Sequence, residues 1–143
     1  MTIEKIINRA KELNICDEWA GKMEREKCIK TLCEMFFKGS DWATENNFPT
    51  AEMVESFPEA ENYGLRANCK YKGFAESRMA FFGESKAEVL AKNFEVSVIY
   101  VRHKTKLKAI AKDNAIVFIY AYDDSEVEII EKGNGKVRLK RYE

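Results

Sequence analysis

The chain lacks a surplus of either charge, a long apolar run, a CxxC pair and all but one histidine. Lysine and arginine together number 24, as do aspartate and glutamate, so no net field gathers nucleic acid or an anionic membrane. No run of 18 apolar residues occurs, and the opening MTIEKIINRAKELN mixes charges throughout. That argues against a membrane span, an anchor or a secretory signal, and the expected compartment is the cytoplasm. Cys16, Cys28, Cys33 and Cys69 have no histidine near them in sequence and are expected as reduced, buried thiols, not as disulfides or zinc ligands. GxGxxG, Walker A, GxSxG and HExxH are all missing, so no catalytic residue, cofactor-binding residue or metal ligand is assigned.

What is present suits a folded protein: 143 residues, 45% apolar and 12% aromatic, enough for one domain or a small domain with an appendage. Residues 1–60 read as helical. Ile3, Ile6, Ile7, Ala10 and Leu13 share one helix face after Thr2 as N-cap, and Asn14 ends it. A second helical stretch spans Asp17 to Lys38, with Gly21 as a candidate break; Ile29, Leu32, Cys33 and Phe36 form its stripe and Gly39 follows its end. Short helices are expected over Asp41–Asn46 and, after Thr50 as cap, Ala51–Phe57. The only two prolines, Pro49 and Pro58, punctuate the end of this half.

From residue 61 to 143 the period becomes ten. The seventh place of each decad holds Ala67, Ser77, Ala87, Ser97, Leu107, Val117, Val127 and Val137; the ninth holds Cys69, Met79, Val89, Ile99, Ala109, Ile119, Ile129 and Leu139. Two alternate columns of small or apolar residues mark the inward side of a strand. The third and fourth places are mostly turn formers, as in Asp113-Asn114, Asp123-Asp124 and Gly133-Asn134. A turn plus one strand cannot bury both its faces, but two decads close a coil of about 20 residues that stacks on the next at about 4.8 Å. The expected class is therefore α+β, with an N-terminal helical segment packed on a two-sided, single-stranded β-solenoid of about four coils. An antiparallel meander with a ten-residue repeat is the alternative.

The two outer faces of such a solenoid differ. One shows charged ladders: Lys86, Lys106 and Glu126, then Glu88, Lys108 and Glu128, with Leu90, Ile110 and Ile130 beyond them. The other shows Val96 beside Ile116, Val98 beside Phe118, and Tyr100 beside Tyr120. A strand apolar on both faces needs cover on both, so these six residues are the candidate packing or interaction face, to be covered by the N-terminal helices, a second copy or a protein partner. Lys136, Arg138 and Lys140 then make the same side basic and blunt an open sheet edge.

Reactive groups do not converge. The basic run Arg102–Lys108 is the best candidate for phosphate contact, but the 20-residue register sets Lys108 between Glu88 and Glu128 and Lys106 beside Glu126, so no nucleic-acid partner is expected. His103 is a turn histidine without a serine, cysteine or carboxylate pair. Asp113, Asp123 and Asp124 are too few on each edge for a calcium site and read as turn formers.

AKDNAIV at 111–117, with echoes at Ala121-Tyr122-Asp123-Asp124 and Gly133-Asn134-Gly135-Lys136-Val137, resembles the decapeptide-repeat proteins whose units read roughly AYDNATV, common in gut Bacteroidetes, their phages and mobile elements. CEMFFKGSDWATENNFP at 33–49 is similar to a module that accompanies such repeats. The resemblance covers nearly the whole chain except ENYGLRANCK and YKGFAESRMA at 61–80, which depart from the pattern. It implies the architecture and no activity. The leading functional expectation is a non-enzymatic protein-interaction or structural module. The alternative is a small-molecule binder or enzyme with a site between helices and coils near Trp42, Tyr63 or His103.

Overall fold

The structure, a computed structural model, describes residues 1–142. Helix α1 (Ile3–Glu12) opens where the Thr2 hydroxyl accepts the Lys5 N–H at 3.2 Å, and buries Ile6, Ile7 and Ala10. Helices α2 (Asp17–Arg25) and α3 (Ile29–Lys38) are separated at Glu26–Cys28, not at Gly21, which lies inside α2. Two short helices follow, α4 (Ser40–Glu45) and α5 (Ala51–Glu55), the latter capped by Thr50 onto the Met53 N–H at 3.2 Å. A 3-10 turn over Pro58–Tyr63 leads into the strands.

Among the described residues, nine strands then alternate between two sheets. Strands β1 (Leu65–Ala67), β3 (Arg78–Phe82), β5 (Val96–Val101), β7 (Ile116–Ala121) and β9 (Lys136–Arg141) form sheet 1 in that order. Strands β2 (Lys70–Phe74), β4 (Lys86–Ala91), β6 (Lys106–Ala111) and β8 (Glu126–Glu131) form sheet 2. Every pairing is parallel, which excludes the meander. Val89 pairs with Ala109 and Ala109 with Ile129, so side chains twenty residues apart stand in one column. The fold is α+β: a helical N-terminal part on a parallel β-solenoid of about four coils.

The corners explain the period. Gly83, Asn93, His103, Asp113, Asp123 and Gly133, each in the third place, have φ between 56° and 70°, a left-handed conformation that glycine, asparagine and aspartate tolerate best. Each corner from residue 92 onward closes when the fifth-place N–H donates to the second-place carbonyl, as Ala115 does to Lys112 at 3.1 Å. Fifth places are mostly small, as in Ser85, Thr105, Ala115 and Ser125, and at Gly135 the backbone of the preceding coil is close enough that a Cβ would collide with the Ala111 carbonyl. Between the sheets the seventh and ninth places make a thin core around Met79, Val89, Ile99, Leu107, Val117 and Ile119.

The first coil breaks the register. Leu65 pairs with Ala80 and Lys70 with Lys86, offsets of fifteen and sixteen residues, whereas Arg78 and Val98 already stand twenty apart. Asn68, at φ 50°, takes the corner role there and its side chain accepts the Glu84 N–H at 2.9 Å. Accordingly Ser77 is exposed and Ala67 packs toward the helices instead of the solenoid core.

The helices cover less of the apolar face than expected. Their apolar side, with Ile29, Cys33, Phe36, Phe37 and Val54, seats on Leu65, Ala80 and Phe82. It is therefore β3 that is buried on both faces, and the cover reaches β5 only at Tyr100, where the Phe36 ring lies 5.8 Å away.

Candidate interaction face and its anchored cap

The six residues singled out from the sequence do share one surface, the outer side of β5 and β7, with Val96 beside Ile116, Val98 beside Phe118 and Tyr100 beside Tyr120. The two tyrosine rings stack at 5.2 Å, and Phe37 closes on Tyr100 at 5.9 Å. Away from that corner the face is open: Val96 is 56% exposed, Ile116 36% and Phe118 36%. Arg78 continues the Val98–Phe118 row at one side and Arg138 at the other, so apolar contact area is framed by basic groups.

One corner of the solenoid holds the cap. Second places alternate, with Lys92, Lys112 and Lys132 at one edge, and Phe82, Arg102, Tyr122 and Tyr142 at the other. Arg102 is 1% exposed, and its guanidinium reaches the cap. It donates to the Asn47 Oδ1 at 2.8 Å and to the Phe48 and Pro49 carbonyls at 3.3 Å each, and lies 5.2 Å over the Phe82 ring. No carboxylate pairs with it and its Nε has no acceptor among the described residues; Arg66, also buried, has Glu76 at 2.9 and 3.1 Å. Burial without a counter-ion pushes the Arg102 pKa down to about 10, partly offset by Asp123.

His103 works on the same loop. Its Nδ1 accepts the Gly83 N–H at 2.9 Å and its Nε2 lies 2.8 Å from the Asn47 Oδ1. An Nδ1 that accepts leaves the proton on Nε2, so the imidazole is the neutral Nε2–H tautomer and donates to Asn47. The Asp123 Oδ2 in turn accepts the His103 N–H at 2.9 Å, and the Asp113 Oδ2 accepts that of Asn93 at 3.0 Å. These aspartates brace the coil beneath them, a role that turn chemistry alone did not foretell. The basic run is similarly engaged, Lys108 with Glu88 at 3.4 Å and Lys106 with Glu126 at 3.7 Å.

No family model, curated protein or solved structure matches the chain.

Of the three residues named for a small-molecule site, only Trp42 borders a cavity. This space, about 320 Å³, lies inside the helical part and its wall includes Ile15, Trp19, Met35, Trp42 and Phe57. Tyr63 is 38% exposed and, like His103, stands outside it. The thiols also differ from expectation: all four are free, but only Cys33 is buried, while Cys16 and Cys28 are exposed. Burial pushes the Cys33 thiol up to about 12, whereas hydrogen bonding between Cys28 Sγ and Thr31, whose Oγ1 lies 3.1 Å away, lowers that of Cys28. No helix among the described residues is long and apolar enough to cross a membrane.

Proposed function

We propose that the chain is a non-enzymatic protein-interaction module of the decapeptide-repeat kind, acting in the cytoplasm of a bacterium of the Bacteroidetes or one infected by its phages. The observation that carries this reading is the exposure of Val96, Ile116 and Phe118 on a sheet whose every strand is held in parallel register. Helices lie immediately beside that surface and leave it bare, and contiguous apolar area of this kind marks a contact site. The buried polar groups meanwhile serve the scaffold: Arg102 and His103 tie the Asn47–Pro49 loop to the corner.

Affinity capture from a bacterial lysate tests the reading. The parent chain is expected to retain a protein that the folded Phe118→Asp variant does not. Identical captures by both would remove this face as the working surface.

A second reading has its own support. The cavity in the helical part is in the size range of ligand pockets and its wall is apolar, which fits an uncharged aromatic or short-chain aliphatic molecule. Titration with a fluorescent apolar probe checks it: saturable binding abolished by Ala43→Trp would support a ligand site there.

A further inference from the structure

The last described coil, β8 with β9, carries opposite charges on its two edges. Strand β8 reads EVEIIE and β9 reads KVRLKR. No described strand pairs with the outer edge of either. The inward residues there are under-covered, with Ile129 at 38% and Leu139 at 41% exposure, although equivalent places deeper in the stack, Ile99 and Ile119, are at 0% and 1%.

We propose that this end is a homodimer site, in which a two-fold axis parallel to the strands sets β8 of one copy antiparallel to β9 of the other, twice. The hydrogen-bonding direction supports it. Glu126, Lys132, Lys136 and Tyr142 direct their N–H groups back into the stack, to Thr105, Ala111, Ala115 and Ala121. Alternate residues therefore turn their amide groups outward, among them Val127, Ile129, Val137 and Leu139. These are the same residues whose side chains face the core, so paired edges would bring donors, acceptors and apolar side chains together. Setting Val127 against Leu139 and Ile129 against Val137 places Glu126 beside Lys140 and Glu128 beside Arg138 on the outer face, a favourable cross-strand arrangement. The Val137 N–H, now held by the Glu131 carboxylate at 2.8 Å, exchanges that partner for the Ile129 carbonyl of the second copy.

The other two-fold that could join these ends, perpendicular to the sheets, sets β8 on β8 and β9 on β9. It opposes glutamate to glutamate and lysine or arginine to lysine or arginine. Charge thus selects one closed symmetry and disfavours the other. Two pairs of six-residue strands are a small interface beside the roughly 1,200–2,000 Å² of stable complexes, so the dimer is expected to dissociate on dilution and to weaken with salt. It is independent of the partner proposed for Val96 and Phe118: sheet 1 of one copy runs into sheet 2 of the other, leaving those faces free on opposite sides of the pair.

Sedimentation equilibrium of the 143-residue chain and three charge variants, each checked for parental circular dichroism, decides the matter. The parent is expected to show a reversible monomer–dimer equilibrium. Glu126→Lys with Glu128→Lys, or Arg138→Glu with Lys140→Glu, should each be monomeric; an equimolar mixture of the two should give a heterodimer, and all four changes in one chain should restore the homodimer. A parent that stays monomeric at every concentration, a dimer that survives either double change, or a mixture that fails to associate would overturn the proposal. Phe118→Asp should leave the dimer intact, so failure of the partner face and failure of this site read differently.

Discussion

The imidazole of His103 accepts the backbone N–H of Gly83, one coil earlier, at 2.9 Å. That bond exists only while Nδ1 is unprotonated. Burial, then the neighbouring Arg102 guanidinium, holds the His103 pKa below its ordinary 6.5, with Asp123 opposing them. As pH falls, the unfolded chain therefore takes up this proton before the folded one does. Stability from this group is complete above about pH 6.5 and declines below it, until the folded imidazole itself titrates. Thermal melting across that range should show the decline in the parent. It should be shallower in His103→Asn, since asparagine already fills corner positions at 68 and 93 and can accept the same N–H.

Arg102 predicts the strength of the cap's attachment. Arg102→Ala leaves the Phe48 and Pro49 carbonyls without their side-chain donor and the Asn47 Oδ1 with His103 alone, and opens a void beside Phe82. Chemical denaturation should register a loss of about 2–3 kcal/mol. Arg102→Met keeps much of the stem packing while removing the unpaired charge, and should lose less.

The thiols should react in a fixed order. Cys28 is exposed and its pKa is lowered by hydrogen bonding with Thr31, while Cys33 is buried and pushed up to about 12. Timed modification at neutral pH, resolved by peptide mass, should label Cys28 early and Cys33 only on unfolding, because the thiolate is the nucleophile. Thr31→Val should slow the first step selectively.

Much of this architecture is legible in the residues themselves. One corner residue in the left-handed region and two inward places recur in every decad from residue 83 onward, so the spacing of Asn93, Asp113 and Asp123 against Val89, Ala109 and Ile129 is enough to align the strands. The first coil escapes because its corner is Asn68, five residues out of frame, and nothing in ENYGLRANCK distinguishes that asparagine from Asn62. The cap's seat was written in the alternation of Phe82, Arg102 and Tyr122 with Lys92 and Lys112, a signal in the second place that inward columns do not reveal. Coverage of Val96 and Phe118 depends on where the helices stop, which no strand pattern encodes.

The functional claim is that the outer face of β5 and β7 is surplus to folding. Thermal melting of a triple variant, Val96→Thr, Ile116→Thr and Phe118→Thr, beside the inward truncation Ile99→Ala tests it most directly. All three outward residues are at least 36% exposed whereas Ile99 is at 0%, and threonine keeps the strand preference. The triple variant is expected to melt close to the parent, while Ile99→Ala loses about 2–5 kcal/mol. A triple variant that falls as far as Ile99→Ala would mean the face holds the fold together, and the reading of it as a contact surface would fail.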